Sequence, residues 1–232
     1  MEPLAFFTGF RYFLYLRGRN GDPINSNNRT SILIAAIFGA LFGSRLAGGL
    51  ENPPAMLHAR NILLYFYENK TVLGGFLGGL WAVELVKKYI GERQASGDLF
   101  VYPILLALII GRIGCFSMGI YEETYGTPTS MPWGMDLGDG LRRHPVSLYE
   151  IVFLVLLWVI LKKIDPLLAV EQGARFKVFL IAYCIFRLLL DFIKPHYTFP
   201  IGLSAIQLVS IAGLIYYYPH IIRYARKTLH LL

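Results

Sequence analysis

The chain has 232 residues, of which 55% are hydrophobic and only 16% are charged. Soluble globular domains carry about a quarter charged residues, so this composition excludes an ordinary water-soluble fold and favours a polytopic α-helical membrane protein. The net charge of +7 does not indicate nucleic-acid binding, because the basic residues form no single stripe. The two cysteines, Cys115 and Cys184, have no metal-type spacing, so we expect no disulfide framework, no metal and no cofactor.

Apolar runs define the predicted elements. A bilayer-spanning helix needs about 20 predominantly apolar residues. The runs that approach this length are 31–50, 71–90, 99–119, 147–163, 176–193 and 203–222. A shorter stretch at 3–17 is interrupted by Arg11 and predicts a half-span or an interfacial helix. We therefore predict an all-α bundle of six spans plus a short N-terminal apolar helix, forming a single integral membrane domain over residues 1–232.

The loop charges predict the orientation of this bundle. Segments 17–30, 87–97, 162–177 and 223–230 together hold 13 Lys and Arg residues. The alternating segments 51–70, 120–146 and 194–202 hold 5. The positive-inside rule places the first set in the cytoplasm and the second set outside.

The segment 120–146 is the long outward-facing loop of this prediction. Loops longer than about 12–15 residues are usually functional or disordered. This one is rich in Gly, Pro, Tyr and Trp, which predicts an ordered loop at the outer interface, with Tyr125 and Trp133 as anchors at headgroup level.

Three arginines, Arg45, Arg112 and Arg187, lie inside the apolar runs. A charge at bilayer depth is costly and usually faces a protein interior or a polar cavity. Their placement on three helices predicts a cationic chamber, and an anion with apolar tails, such as a phospholipid, is its natural guest. For Arg112, flanked by Gly111 and Gly114, phosphate binding through the guanidinium fork is one interpretation, and an ion pair with an intramembrane acid or snorkelling is the other.

Two further patterns carry candidate chemistry. Pro145 suits a helix start, Ser147 could cap that helix, and an acid at Glu150 could meet its positive dipole end. These roles at the helix start do not explain why Arg143 and His144 stand together just before it. His144 could act as a base, bind a headgroup or form a helix-entry hydrogen bond.

The four-residue spacing of Tyr183, Arg187 and Asp191 places them on one helix face. Either Arg187 and Asp191 neutralise each other, or Tyr183 and Arg187 face the same cavity as Arg112. The glycines Gly39, Gly78 and Gly79 predict close helix packing, while the doublet Gly74-Gly75 could also line the chamber.

These blocks, in this order, resemble the prolipoprotein diacylglyceryl transferase family of bacterial inner-membrane enzymes. The matching stretches are Gly43-Ser44-Arg45-Leu46, Gly74-Gly75-Phe76-Leu77-Gly78, Gly111-Arg112-Ile113-Gly114, Arg143-His144-Pro145 through Leu148-Tyr149-Glu150, and Tyr183-Cys184-Ile185-Phe186-Arg187 ending at Asp191. The resemblance implies transfer of a diacylglyceryl group from phosphatidylglycerol, or a related anionic phospholipid, to the cysteine thiol in the lipobox of a prolipoprotein.

The resemblance also implies a set of site residues. The predicted catalytic residues are Arg112, Arg187, His144 and Tyr183, with the two arginines on the phosphate. The predicted substrate-binding residues are Arg45, Gly74, Gly75, Gly114, Cys115, Arg143, Tyr149 and Glu150.

Two positions depart from the usual pattern of the family. The family commonly has a histidine just before the glycine doublet, where this chain has Leu73. It commonly has an asparagine after the Gly-Arg-x-Gly motif, where this chain has Cys115. The alternatives are therefore a divergent paralogue with another acceptor, or a non-catalytic phospholipid-binding membrane protein.

Overall fold

The structure is a computed structural model that describes residues 1–122 and 124–229, with side chains described up to residue 222. Glu123 lies outside this description. The basic side chains of segment 223–230, which belong to the predicted loop-charge pattern, also lie outside it. Within the described residues, helices dominate, and the only strands form one short hairpin. This confirms the predicted all-α class.

The helices are α1 (Glu2–Asn20), α2 (Ser26–Gly49), α3 (Pro53–Leu57), α4 (Ile62–Glu68), α5 (Val72–Ile90), α6 (Val101–Met118), α7 (Val146–Leu168), α8 (Ala174–Leu190) and α9 (Ala205–Leu229). Local sequence sets several of these boundaries. The side chains of Asn25 and Thr71 accept hydrogen bonds from backbone N–H groups in the first turns of α2 and α5. Gly91 ends α5 in the left-handed conformation, with φ of 71°.

Each of the six predicted apolar runs contains a long helix. Among the residues that the structure describes, three segments are long and apolar enough to cross a membrane, namely Ser26–Gly49, Asp98–Tyr121 and Ala205–Ile222. The remaining three runs correspond to α5, α7 and α8, and their crossing of the membrane stays a prediction. The predicted N-terminal helix is present as α1, and it extends a few residues beyond the predicted stretch.

The chain divides into two compact units. The first unit comprises Met1–Pro23, Ala95–Phe179 and Phe192–Pro195, and the second comprises Ile24–Gln94, Leu180–Asp191 and His196–Leu232. The predicted single membrane domain stays a prediction.

In the first unit, α1 and α7 both pack against α6. The loop after α6 folds back as a hairpin of β1 (Met135–Asp136) and β2 (Arg142–Arg143). The backbone N–H of Ile120 donates to the carbonyl of Leu137 at 2.9 Å, and Gly126 and His144 are joined by a backbone hydrogen bond at 3.0 Å. These bonds hold the loop close to the C-terminal end of α6.

In the second unit, α2 and α5 cross with their backbones in close approach. A Cβ atom on Gly78 would lie 2.4 Å from the carbonyl oxygen of Gly39, and one on Gly43 would lie 2.4 Å from that of Gly74. Only glycine fits at these positions, so the predicted packing role of Gly39 and Gly78 is confirmed. The outer face of α2 carries large exposed apolar side chains, among them Phe38 and Phe42, each 69% exposed, as expected for a helix that faces lipid.

Candidate functional site

Arg112 on α6 and Glu150 on α7 form a buried ion pair in the first unit. Arg112 Nε lies 2.9 Å from Glu150 Oε2, and the two side chains are 12% and 1% exposed. Each charge lowers the cost of burying the other, since a buried ion without a partner is strongly destabilising. The structure thus places Arg112 in the ion pair that the sequence offered as the alternative to phosphate binding.

This pair corrects two expectations for the start of α7. Glu150 is the fifth residue of the helix and not a first-turn acid, and its carboxylate binds Arg112 instead of meeting the helix dipole. Ser147 does not cap α7, because its hydroxyl donates to Thr124 Oγ1 at 3.1 Å. The helix begins next to Pro145 as predicted, without a side-chain cap.

Cys115 connects the ion pair to the loop. Arg112 Nη1 donates to Cys115 Sγ at 3.8 Å, and Cys115 Sγ donates to Glu122 Oε1 at 3.9 Å. The sequence did not single out Glu122 as a partner of Cys115. The seven-residue spacing is the available signal, but it crosses the end of α6 at Gly119, where the helical periodicity no longer applies.

A small pocket opens beside Cys115, with a cavity volume of about 10 Å³. Its lining includes Phe116 from α6, Thr124 and Tyr125 from the loop, and Ser147 from α7. A cavity of this volume holds about one water molecule. A lipid headgroup and its acyl chains would therefore have to lie outside it.

His144 and Tyr149 form a second polar pair near this pocket. His144 Nδ1 lies 3.0 Å from Tyr149 Oη. The direction of this bond depends on the tautomer of His144. The Nε2–H tautomer, in which Nδ1 accepts from the Tyr149 hydroxyl, is the one that can donate a hydrogen bond to an anion.

Arg143 is held by the hairpin. Its Nη2 lies 2.7 Å from Asp139 Oδ2, its Nη1 donates to the carbonyl of Gly126 at 3.4 Å, and its guanidinium lies 5.0 Å from the ring centroid of Tyr125. Tyr125, predicted as an interfacial anchor, is thus also a stacking partner. These contacts fix Arg143 close to the pocket lining.

The Arg143 bond makes the hairpin sensitive to acid. It holds the pKa of the Asp139 carboxyl below its ordinary value. A lowered folded-state pKa means that the contribution to stability is present above the ordinary pKa and is lost as the pH falls through the lowered value. In a titration of ¹³C-aspartate-labelled protein followed by NMR, we expect Asp139 to titrate below 3.8 in the wild type. In Arg143→Gln we expect it to return to its ordinary range, and equal values in both proteins would contradict the pairing.

Gly114 has a packing explanation. A Cβ atom there would lie 2.5 Å from Met1 Cβ, so Gly114 lets α1 approach α6. Its predicted substrate contact stays a prediction.

The second unit contains the other predicted site residues. Tyr183 is fully buried against Phe76, with ring centroids 5.2 Å apart, and Arg187 is 6% exposed.

Asp191 accepts a short hydrogen bond from the Ser204 hydroxyl, and His196 Nδ1 lies 3.7 Å from the same carboxylate oxygen. Sequence reasoning named neither partner of Asp191. The catalytic roles of Tyr183 and Arg187, the pairing of Arg187 with Asp191, and the arginine-lined chamber all stay predictions.

Arg45 and the glycine doublet also lie in the second unit. The Arg45 guanidinium lies 5.2 Å from the ring centroid of Tyr67. Gly74 is packed against α2, since a Cβ atom would lie 2.5 Å from both Ala47 Cβ and the carbonyl oxygen of Gly43. Gly75 has ordinary van der Waals space, with its nearest neighbour at 3.5 Å. Their predicted contacts with substrate are not tested by these distances.

Residues 1–222 match the prolipoprotein diacylglyceryl transferase family. The chain belongs to this family. The resemblance carried by the sequence motifs is thereby confirmed, and the family is one of transferases.

Similar proteins include the phosphatidylglycerol–prolipoprotein diacylglyceryl transferases of three bacteria. The Bordetella parapertussis protein is 34% identical over 233 residues, which cover 90% of this chain and 84% of the relative. The Nitrosomonas europaea protein is 34% identical over 206 residues, which cover 82% of this chain and 71% of the relative. The Cupriavidus metallidurans protein is 32% identical over 188 residues, covering 76% of this chain and 66% of the relative. The chain thus spans slightly less than two thirds of the Cupriavidus protein.

Proposed function

We propose that this chain transfers a diacylglyceryl group from phosphatidylglycerol, or a related anionic phospholipid, to the cysteine thiol of a prolipoprotein lipobox. Membership of the family supports the reaction, and the names of the relatives support the donor and the acceptor. The observation that carries the proposal for this site is the buried Arg112, which is held by Glu150 and lies one turn from a pocket.

The reaction defines what the site must supply. The acceptor thiolate forms a new S–C bond to the glyceryl carbon, while the C–O bond to the phosphate breaks and glycerol phosphate leaves with the electron pair. The thiol proton passes to a base. Negative charge develops on the leaving phosphate, so a preorganised cation at that position lowers the barrier.

Arg112 is the proposed cation. A guanidinium carries several N–H donors in a planar fork, so it can hold a carboxylate at Nε and still present donors to phosphate oxygens. Glu150 then acts as a positioning residue that fixes the guanidinium and makes its burial tolerable. His144 in its Nε2–H tautomer, with Nδ1 accepting from Tyr149, is proposed to donate to the lipid headgroup, with Arg143 nearby.

The proposed setting is the bacterial cytoplasmic membrane. We propose that α2, α5, α6, α7, α8 and α9 all span it, with α1 as the short additional helix and the loop 120–146 on the outer side. The support is the apolar length of three of these helices and the alternation of loop charges.

One observation favours a second candidate function. Leu73, where the family commonly has histidine, is 1% exposed and has no proton to exchange. A chain that kept the lipid site and lost the base would bind phospholipid without turnover, and a paralogue with a more acidic acceptor would not need that base. Both alternatives keep the Arg112 site.

The test is incubation of the purified protein with headgroup-labelled phosphatidylglycerol and a lipobox peptide, followed by thin-layer analysis. The transferase proposal predicts release of labelled glycerol phosphate together with a lipidated peptide, and no release with a Cys→Ser peptide as the matched control. Lipid that co-purifies intact with no turnover for any acceptor thiol would contradict the transferase and support the lipid-binding alternative.

A further inference from the structure

A cluster of aromatic and basic side chains lies at the end of the first unit where α6 begins and α7 ends. Tyr102 on α6 is 4% exposed. The Lys162 ammonium from α7 lies 4.4 Å from its ring centroid, and the Arg175 guanidinium from α8 lies 5.5 Å from it. Trp158 packs on the same ring, with centroids 5.4 Å apart, and Tyr12 stacks on Trp158. Together these five residues form what we call the Tyr102 cluster.

The hydroxyl of Tyr102 lacks a hydrogen-bond partner within the described residues. Leaving a buried hydroxyl unsatisfied costs about 1–3 kcal/mol, so such a group in a native protein calls for a partner from outside the chain. A phenol can donate one hydrogen bond, and the two cations beside it favour an acceptor with negative charge. The unsatisfied group therefore points to an anionic ligand.

The two cations differ in how their charge is matched. Asp165 holds Arg175, with Nε 2.7 Å and Nη2 2.5 Å from the same carboxylate oxygen. Lys162 is exposed, and no carboxylate of the described residues lies within ion-pair distance of its ammonium. The cluster thus retains one positive charge for a ligand, at the edge that faces the surroundings.

The position of the cluster fits the headgroup level of a membrane. Tyr and Trp are enriched at membrane interfaces. The segment 162–177 belongs to the set that the charge pattern places in the cytoplasm, and the cytoplasmic leaflet carries anionic lipids that attract basic residues.

We propose that the Tyr102 cluster binds the phosphodiester headgroup of an anionic phospholipid. The exposed Lys162 ammonium would neutralise the charge of the phosphate, and a local movement of the side chains over the buried Tyr102 hydroxyl would let it donate to a phosphate oxygen. This site lies at the opposite end of α6 from Arg112, so it is a second lipid site that does not depend on the proposed transferase reaction.

Trp158 provides the measurement, because its ring is part of the cluster. The protein with Trp81→Phe and Trp133→Phe keeps Trp158 as its only tryptophan. This protein is reconstituted into vesicles that contain phosphatidylglycerol and phosphatidylcholine, with one of the two lipids brominated. The ratio of Trp158 fluorescence quenching by brominated phosphatidylglycerol to quenching by brominated phosphatidylcholine measures the preference for the anionic lipid. One basic residue near an anionic membrane surface raises the binding constant for the anionic lipid about fivefold. We expect about that preference in the starting protein and near-equal quenching in Lys162→Gln.

Two more variants separate binding from folding. Tyr102→Phe keeps the ring and both cation–π contacts but removes the hydroxyl, so it should lower the preference without lowering thermal stability. Lys163→Gln removes a neighbouring charge outside the cluster and is the matched control, which should keep the preference. Equal quenching by both lipids in the starting protein, or an equal fall in Lys163→Gln, would overturn the site.

The source of the phosphate and the link to catalysis are also separable. Soluble glycerol phosphate in excess should leave the preference unchanged, whereas its loss would mean that the cluster binds free phosphate and not lipid. The preference should persist in Arg112→Ala/Glu150→Ala, which is expected to have no transferase activity. A failure of the transferase assay would therefore not contradict the lipid site at the Tyr102 cluster. Equal quenching by the two lipids would likewise not contradict the proposed transferase reaction.

Discussion

Arg112→Ala is expected to abolish diacylglyceryl transfer and to destabilise the protein as well. The substitution removes the proposed phosphate ligand, and loss of one such preorganised donor lowers turnover by about 10²–10³-fold. It also leaves Glu150, 1% exposed, without its partner. Breaking a buried pair on one side costs about 3–5 kcal/mol of stability. The measurements are glycerol phosphate release with a lipobox peptide and the thermal unfolding midpoint in detergent.

The double variant Arg112→Ala/Glu150→Ala separates these two effects. Removing both charges removes the uncompensated carboxylate, so the midpoint should recover toward that of the wild type. Turnover should stay as low as in the single variant, because the phosphate ligand is still missing. Recovery of turnover together with stability would show that Arg112 has a structural role only.

Gly78→Ala is expected to destabilise the second unit. The new Cβ atom would lie 2.4 Å from the carbonyl oxygen of Gly39 and 2.7 Å from Gly43 Cα. Both neighbours are backbone atoms, so α2 and α5 must separate, and overpacking of this kind costs about 1–3 kcal/mol or more. A lower unfolding midpoint in detergent is the expected readout.

Gly75→Ala is the matched control on the same helix. Its Cβ atom would lie 3.5 Å from the Ala40 carbonyl oxygen and 3.6 Å from Ser44 Cβ, which is ordinary contact. Alanine also favours the helix over glycine by up to about 1 kcal/mol, so the midpoint should equal or exceed that of the wild type. Similar losses in Gly75→Ala and Gly78→Ala would contradict the close crossing of α2 and α5.

The helices were predictable because apolar runs of near-membrane length encode them, and the glycine spacing around Gly39 and Gly78 indicated close packing. Their ends were not predicted, such as those that Thr71 and Gly91 set for α5. Segment 51–70 shows the limit of this approach. Its short helices α3 and α4 were not predicted, because runs of five and seven residues fall below any apolar-length signal.

The site was predictable as a set of residues but not as a set of contacts. An arginine in an apolar run requires a counter-charge or a ligand, and that requirement was readable from Arg112 alone. The identity of the partner was not, because Glu150 lies on another helix and its sequence position suggested a role at the start of α7. Only packing of α6 against α7 brings the two together. The contact between Cys115 and Glu122 likewise depends on how the loop folds back after Gly119.

A density map of the protein with bound phosphatidylglycerol, without the acceptor peptide, would test the central claim most directly. The measured quantity is the distance from the guanidinium nitrogens of Arg112 to the phosphate oxygens of the lipid. We predict at least one distance of about 2.7–3.2 Å, with Glu150 still in contact with Nε. A lipid phosphate well beyond hydrogen-bond reach of Arg112, with the guanidinium bound by protein groups alone, would contradict this account.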